Sequence, residues 1–377
     1  MSWLGARELV GACQGLRGDV VLPRADQDLT VIPARLESMF EAAADAAVIV
    51  LALDGVSYEA AANAWRPDEL VALTSTFPST SVPAWLSATS GRSVKEHGVP
   101  GVVIRAGESE LFNTLADGPG DPGAAFLAEH DTMFRRLTAR GVDCVGLIGD
   151  LHAVPGRWSS AVVDGLRVLP DETDWTLLRD DPARVPEAIE RGVDRALHAI
   201  TGKPALVWAY AHIDPYIHDH GFDAAVHACL GELGAAAQRW AAAGHVVVAH
   251  SDHGMVETDS PQELMGAFDD ATGPQSCRLP PGGAGRVRWV YPHAAAEDAV
   301  LARLEQLLGD DALVCHIDAL EGLGIATLTP VLRERMGEVV AIAGGRRFPL
   351  YEPKPFEHGA LTPEEMLVPF AVWDGRS

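Results

Sequence analysis

Residues 46–55 read AAVIVLALDG, an apolar run that ends in an aspartate and a glycine. An apolar run of this length without alternating polar residues predicts a strand that is buried on both faces of a mostly parallel sheet. Similar runs recur along the chain with helical periodicity between them, so the predicted fold class is α/β. The other strand candidates are 143–148, 205–211, 245–249, 286–291, 339–343 and 368–373, and the helix candidates are 131–140, 186–200, 224–243 and 295–308.

The length of 377 residues allows one large α/β domain or two medium ones. Two irregular stretches, near residues 107–122 and 258–285, interrupt the alternation of strands and helices. Strand and helix signals resume after each stretch with unchanged composition, which favours surface excursions over linkers. The sequence therefore predicts a single domain over residues 1–377.

The chain is strongly acidic, with a formal net charge of −24 and only three lysines, Lys95, Lys203 and Lys354. This balance disfavours binding to nucleic-acid polymers and to anionic membrane surfaces. The longest apolar run is also much shorter than the ~20 residues that span a bilayer. A small-molecule partner is therefore expected, and an anionic one would need local positive charge from arginines, helix N-termini or metal ions.

The cysteines indicate the cellular environment. Five cysteines are scattered along the chain without a CxxC pair, which suggests neither a disulfide framework nor a thiolate zinc site. Residues 1–20 lack the apolar region of a signal peptide. These features predict a reduced, cytoplasmic protein, and a homo-oligomer is compatible with them.

Several predicted strands end in aspartate or histidine. Asp54 follows the first strand, Asp214 and His218 follow another, and Asp252 and His253 follow a third. The carboxyl ends of parallel strands form one edge of an open α/β sheet, where ligands bind. Asp214 is predicted to cap a helix, so that His218 lies one turn on. Carboxylates and imidazoles suit zinc or manganese, and five or six of them indicate two metal ions.

Residues 76–83, TFPSTSVP, indicate a nucleophile at the start of a helix. Pro83 fits the first helical turn, which makes Ser81 the predicted N-cap, where converging N–H groups favour anions. A serine next to a metal ion can act as an alkoxide nucleophile, with Thr80 as a rival one residue away. His358, just before a predicted capping box at Thr362 to Glu365, is the remaining ligand candidate.

The order and spacing of these residues resemble the alkaline phosphatase superfamily, most closely its type I phosphodiesterase and nucleotide pyrophosphatase branch. The resemblance runs from Leu-Asp-Gly at 53–55 to Glu-Glu-Met-Leu-Val-Pro at 364–369. It implies a three-layer α/β/α sandwich with a mostly parallel central sheet and two divalent ions, zinc or alternatively manganese. The resemblance implies that one ion is bound by Asp54, Asp252 and His253, and the other by Asp214, His218 and His358. It also implies that the nucleophile is Ser81, at a position where this branch usually has threonine.

Two positions depart from the patterns of related families. In the nucleotide pyrophosphatase branch, an asparagine four residues after a His-Gly pair helps to hold a phosphoryl oxygen. Here the pair is His97-Gly98 and that position is Val102, which weakens the expectation of diester specificity because one donor is missing. Trp85 stands where the sulfatase motif has the arginine needed for formylglycine formation, so sulfatase activity is disfavoured.

The predicted function is a two-metal phosphoester hydrolase that acts through a covalent phosphoseryl intermediate on a small nucleotide-like substrate, as a phosphodiesterase or nucleotide pyrophosphatase. The alternatives are a phosphomonoesterase, which Val102 favours, and a phosphomutase. A catalytically silent metal-binding protein is disfavoured because six ligands and a hydroxyl nucleophile are all present. His212 and His250 are interpreted as hydrogen-bonded structural residues beside the site, and His220 as solvated or as a support for a ligand. The sequence assigns no role to Arg92, Lys95 or His97.

Overall fold

The described residues form two large sheets of seven strands each, with helices packed around them. The computed structural model describes residues 2–42, 47–128, 130–170, 173, 175, 178–200 and 204–375. The strands are β1 (Val10–Gly11), β2 (Val20–Val21), β3 (Ala47–Asp54), β4 (Glu69–Thr74), β5 (Val103–Ala106), β6 (Glu110–Asn113), β7 (Gly118–Pro119), β8 (Asp143–Leu147), β9 (Arg167–Val168), β10 (Ala205–His212), β11 (Val246–Ser251), β12 (Val256–Glu257), β13 (Cys277–Ala284), β14 (Val287–Pro292), β15 (Ala312–His316), β16 (Val339–Ala343), β17 (Phe356–Glu357) and β18 (Leu367–Asp374). The helices are α1 (Ala6–Leu9), α2 (Ile32–Ala42), α3 (Tyr58–Ala64), α4 (Ser81–Ser90), α5 (Val94–His97), α6 (Met133–Ala139), α7 (Arg157–Val162), α8 (Val185–Ala199), α9 (Asp214–His220), α10 (Ala224–Ala242), α11 (Gln262–Ala271), α12 (Glu297–Leu308), α13 (Ala319–Gly322), α14 (Pro330–Arg335) and α15 (Pro363–Met366).

The central sheet has the strand order β4-β18-β11-β3-β10-β8-β9. Strand β3 lies in the middle and pairs in parallel with both β10 and β11, and only β18 runs antiparallel to its neighbours. The predicted mostly parallel sheet is therefore confirmed. The first predicted strand occupies residues 47–54, and residue 46, where its prediction began, lies outside the described residues.

The apolar run of β3 is continuous because both faces of the central sheet are covered. Val48 and Val50 pack into a core on one face, together with side chains of α2, α4 and α6. Ile49 and Leu51 pack into a core on the other face, together with side chains of α3, α8 and α10. The two cores and the sheet between them form the predicted three-layer α/β/α sandwich.

The second large sheet was not predicted. It has the strand order β15-β16-β14-β13-β5-β6-β7, and all its neighbouring strands run antiparallel. The strand candidates 286–291 and 339–343 correspond to β14 and β16, so their assignment to the central sheet was wrong. An apolar run predicts burial, but it carries no information about which sheet the strand joins.

The two stretches that were predicted to be irregular also contain regular elements. Residues 107–122 include β6 and β7, and residues 258–285 include α11 and β13. Strand β13 contains Pro280, Pro281 and two glycines, and its pairing with β14 shifts register on both sides of Leu279. Proline and glycine occur in strands mainly at such irregularities, which explains why the sequence signal was misleading. The prediction of a single domain remains untested.

The tip of the β13–β14 hairpin contacts the loop that carries His358. The Arg286 amide donates a hydrogen bond to the His358 carbonyl at 2.9 Å. Gly285 has a φ of +46°, and a Cβ atom there would lie 2.0 Å from the same carbonyl. Only glycine fits this approach, so the second sheet determines where His358 lies relative to the central sheet.

A buried ion pair holds the same loop. Arg286 and Glu365 are both fully buried, and Arg286 Nε donates to Glu365 Oε1 at 2.8 Å. The same carboxylate accepts hydrogen bonds from the Ala360 amide and the Thr362 hydroxyl, the latter in the predicted capping box. Glu365 therefore links the second sheet to the chain between His358 and β18.

None of the described helices is long and apolar enough to cross a bilayer. The five cysteines are free, and four of them are buried. The cytoplasmic location stays a prediction from the sequence.

We expect Glu365→Ala to lower the free energy of unfolding by about 3–5 kcal/mol, because it leaves the buried Arg286 guanidinium without a counter-charge. The double variant Arg286→Met/Glu365→Leu should lose less stability, since neither charge remains buried alone. Glu364→Ala is the control, because Glu364 is exposed. Chemical denaturation measures all three, and equal losses for Glu364→Ala and Glu365→Ala would contradict the structural role of the pair.

Candidate metal centre

The predicted ligands come together because three adjacent strands of the central sheet end at one level. Asp54, the last residue of β3, lies opposite His212, the last residue of β10, and Leu53 lies opposite Ser251 of β11. The residues that follow β10 and β11 therefore meet Asp54 at the carboxyl edge of the sheet. Asp214 is the first residue of helix α9 and Ile213 is its N-cap, so the predicted cap position was wrong by one residue.

One group of predicted ligands consists of Asp54, Asp252 and His253. Their ligand atoms all lie within 4.8 Å of one another. His253 Nε2 is 3.3 Å from Asp252 Oδ2 and 3.6 Å from Asp54 Oδ1, and all three side chains are at most 1% exposed. The geometry places these three groups where one ion could contact all of them.

The other predicted ligands lie around Asp214. His218 Nε2 is 3.2 Å from Asp214 Oδ2, and His358 Nε2 is 3.9 Å from Asp214 Oδ1. The rings of His253 and His358 stack with 3.7 Å between their centroids, so the two groups adjoin each other. The structure also brings Glu357 next to His218 and His358, which sequence reasoning missed.

Hydrogen bonds among the described residues do not satisfy every carboxylate oxygen in this region. Asp214 Oδ1 and Asp252 Oδ2 are buried without a hydrogen-bond partner. Burial and the charge of Asp54 raise the pKa of Asp252 well above its ordinary value. Burial and the neighbouring His253 ring lower the pKa of His358 to about 4, so this imidazole is neutral and able to bind a metal ion. The orphaned oxygens and the Asp/His donor set fit divalent metal ions.

Further hydrogen bonds orient the predicted ligands. Asp54 Oδ2 accepts hydrogen bonds from the Tyr210 hydroxyl at 2.6 Å and from Trp85 Nε1 at 3.0 Å, which leaves Oδ1 facing His253. Trp85, which distinguishes this chain from the sulfatase pattern, thus supports a predicted ligand. Such partners fix the direction of a ligand and tune its affinity for a metal ion.

Two histidines are oriented by backbone carbonyls. His218 Nδ1 lies 2.8 Å from the Phe356 carbonyl, and His358 Nδ1 lies 2.9 Å from the Ser79 carbonyl. A ring nitrogen that donates to a carbonyl keeps its proton, so Nε2 is the nitrogen of each ring that can bind a metal ion, in His218 after it has lost its own proton. Both Nε2 atoms face Asp214.

The predicted nucleophile, Ser81, lies beside the first ligand group. Its Oγ is 3.1 Å from His253 Nε2 and 3.4 Å from Asp54 Oδ1. Ser81 is the first residue of α4, and Thr80 is the N-cap, so the predicted cap position was wrong by one residue. The reason is that proline is tolerated throughout the first turn, including the third position that Pro83 occupies. Thr80 also lines the site.

The ligands and Ser81 open into a cavity of about 620 Å³. Val102 and Asn113 both line it, and Asn113 lies opposite Val103 in the β5–β6 pair. Asn113 Oδ1 accepts hydrogen bonds from the amides of Leu115 and Ala116, both at 3.0 Å. These bonds fix the amide orientation and leave Nδ2 without a protein acceptor among the described residues. Sequence reasoning missed Asn113 because it lies in a stretch that was predicted to be irregular.

A histidine and two charged residues form one side of the cavity. His212 Nδ1 is 2.8 Å from Asp150 Oδ2, and Arg179 Nη2 is 3.1 Å from the same oxygen. His212 Nε2 lies 3.7 Å from Asp214 Oδ2. His212 is therefore hydrogen-bonded beside the site, as predicted.

None of the candidate ion-binding groups among the described residues includes His97, His220 or His250. His97 is buried, lies 3.2 Å from the Ser87 hydroxyl and accepts a hydrogen bond from the Val99 amide. Burial lowers its pKa to about 3, which indicates a neutral structural residue. His220 stacks on the Tyr216 ring with 4.2 Å between the ring centroids. His250 packs against Trp85, and neither of its ring nitrogens has a hydrogen-bond partner among the described residues, so the prediction that it is hydrogen-bonded was wrong.

Several solved structures share the fold of this chain. Murine ectonucleotide pyrophosphatase/phosphodiesterase 5 is 15% identical, with a TM-score of 0.60 and coverage of 87% of this chain and 88% of that protein. An inactive form of the murine protein in complex with AMP has a TM-score of 0.59 at 15% identity, covering 88% of each chain. Phosphonoacetate hydrolase from Sinorhizobium meliloti 1021, in complex with phosphonoacetate, is 16% identical, with a TM-score of 0.60 and coverage of 99% and 94%. At these identities the likeness establishes the fold alone.

The sequence itself identifies the family. No curated protein matches the chain. The family profile described as type I phosphodiesterase/nucleotide pyrophosphatase matches residues 64–346, about three quarters of the length. Asp54 and His358 lie just outside the matched range and the other predicted site residues lie within it. The chain belongs to the type I phosphodiesterase/nucleotide pyrophosphatase family of phosphoester hydrolases, within the alkaline phosphatase superfamily.

Proposed function

We propose that this protein is a two-metal phosphoester hydrolase in which Ser81 forms a covalent phosphoseryl intermediate. The observation that carries the proposal is the position of Ser81 Oγ, 3.1 Å from His253 Nε2 and 3.4 Å from Asp54 Oδ1. A serine hydroxyl in contact with metal-ligating groups is in the place where a nucleophile is activated.

The six predicted ligands would hold two divalent ions, zinc or manganese. In this proposal one ion is bound by Asp54, Asp252 and His253, and the other is bound by Asp214, His218 and His358. When bound, such ions neutralise the phosphate and lower the pKa of a hydroxyl or water. His218 has its pKa raised to about 10 by the charge of Asp214 despite burial, so metal binding at this group displaces a proton.

The chain's own residues supply the covalent steps. Ser81 Oγ attacks phosphorus, the bond from phosphorus to the leaving oxygen breaks, and that oxygen takes the electron pair and, through solvent, the proton that Oγ gives up. Water then attacks the phosphoserine, the bond between phosphorus and Oγ breaks, and Oγ takes up the proton that the attacking water loses. The N-terminus of α4 presents backbone N–H groups toward the phosphate, and Asn113 Nδ2 donates to a phosphoryl oxygen.

The preferred substrate in this proposal is a small nucleotide-like diester or pyrophosphate. Family membership supports this choice, and the murine relative that was solved in complex with AMP has the same fold. Val102 removes the expected asparagine, but Asn113 brings a carboxamide to the same wall of the cavity from the neighbouring strand. Phosphomonoesterase action is the second candidate, because Val102 still distinguishes this chain from the diesterase pattern.

We expect Ser81→Ala to lower kcat for bis-nitrophenyl phosphate by about 10³-fold or more, since no other group replaces the nucleophile. Metal analysis of the purified variant should still find two divalent ions per chain. Thr80→Val is the matched control for the rival hydroxyl, and it should keep activity within about tenfold. Undiminished turnover by Ser81→Ala, or loss of turnover in Thr80→Val alone, contradicts the assignment.

Asn113→Ala should lower kcat for the same diester by about 10²-fold with a small change in KM, because a donor to the developing charge on the phosphoryl oxygen is lost. Asn113→Asp keeps the size of the side chain but replaces the amide donor with a carboxylate, so its loss should be at least as large. The control is Asn63→Ala, since Asn63 is exposed on α3. Wild-type kinetics in Asn113→Ala would rule out the donor role.

Tyr210→Phe should weaken metal binding by about 10- to 100-fold, because Asp54 Oδ2 loses its shortest hydrogen bond and the carboxylate is free to rotate. Titration against a chromogenic chelator measures this effect without any substrate. Tyr216→Phe is the control, since its hydroxyl donates to Asp223 instead. Equal metal affinities in the two variants would show that Tyr210 does not orient the ligand.

A further inference from the structure

Arg288 lines the same cavity as the predicted metal ligands. It belongs to β14, whose hairpin tip contacts the His358 carbonyl through Arg286 and Gly285. Arg288 Nη1 donates to the Gly285 carbonyl at 2.9 Å, and Nη2 donates to the Pro349 carbonyl at 3.0 Å. These bonds hold the guanidinium at the cavity wall, close to the loop of His358.

The charge of Arg288 has no partner. Its side chain is 5% exposed, and no carboxylate among the described residues forms an ion pair with it. Its Nε is buried and donates no hydrogen bond. Burial lowers the pKa of the guanidinium because it removes water from around the charged form. Arg179, which also lines the cavity, is paired with Asp150 at 3.1 Å.

Aromatic rings enclose the guanidinium without neutralising it. The Arg288 Cζ atom lies 4.7 Å from the centroid of the Tyr351 ring and 5.9 Å from that of Phe348. Tyr351 is itself half exposed at the cavity wall. A cation that is screened from water by rings attracts an anion more strongly than an exposed surface arginine does.

We propose that Arg288 recognises a second anionic group, a carboxylate or a phosphate, on the part of the substrate that is not transferred to Ser81. The inference rests on the proposed function only in placing the transferred phosphate at the predicted metal ligands. A guanidinium forms directional, charge-assisted hydrogen bonds with carboxylate and phosphate oxygens. The natural substrate class is therefore a phosphate compound with a negatively charged leaving group.

A binding experiment tests the role of Arg288 without turnover. The probes are methylphosphonate, which has one anionic group, and methylenediphosphonate and 3-phosphonopropionate, which add a phosphonate or a carboxylate. None contains a phosphoester bond, so the result does not depend on whether Ser81 is a nucleophile. Calorimetric titration of the metal-loaded protein gives each affinity for the wild type and for Arg288→Met.

We expect Arg288→Met to weaken binding of at least one of the doubly anionic probes by about tenfold or more, and methylphosphonate by less than about threefold. The probe that responds identifies whether the second group is a phosphate or a carboxylate. Arg288→Lys should be intermediate, because it keeps the charge and loses the planar fork.

Arg335→Met is the matched control. Arg335 also donates to a backbone carbonyl, that of Gly98, and stacks on Phe126, but it does not line the cavity. This variant should bind all three probes as the wild type does. An equal loss for all probes in Arg288→Met would reveal a purely structural brace and overturn the inference, as would no loss, or no binding of any probe by the wild-type protein.

Discussion

Three buried aspartates, Asp54, Asp214 and Asp252, face one another at the carboxyl edge of the central sheet, and the rest of the site depends on this concentration of negative charge. Two of their oxygens are buried without a hydrogen-bond partner. Burial alone makes each charge unfavourable, and mutual repulsion adds to the cost. Compensating positive charge stabilises such an arrangement, which is why the same residues suit divalent ions.

The second sheet determines where the opposite side of the site lies. His358 follows β17, and its carbonyl is held by the tip of the β13–β14 hairpin, while the buried pair of Arg286 and Glu365 holds the chain that follows. The central sheet thus provides the aspartates, and the second sheet positions one histidine and the cavity wall. Asn113 and Arg288 reach the cavity from strands of that second sheet.

Positive charge inside the cavity explains how a strongly acidic protein can bind a negatively charged substrate. The net charge of −24 repels anions at long range, but salt screens this effect beyond about 10 Å. Inside the cavity, the metal ions of the proposal, the N-terminus of α4 and the unpaired Arg288 act over short distances in a medium of low dielectric constant. The exclusion of polymeric anions and the acceptance of a small one are therefore compatible.

The sequence by itself indicated the central-sheet strands β3, β8, β10, β11 and β18 and the polar residues at the edge of the sheet, but not β4 or β9. A buried strand such as β3 must be apolar throughout, so an aspartate at its end stands out, and the same holds for the residues after β10 and β11. The spacing of Asp214 and His218, one helical turn apart, was also visible locally. Only the tertiary structure decided which residues from outside the central sheet reach the cavity. Glu357, Asn113 and Arg288 have no local pattern that marks them, because their positions follow from strand pairing between distant segments, and that pairing depends on packing that no short stretch of sequence encodes.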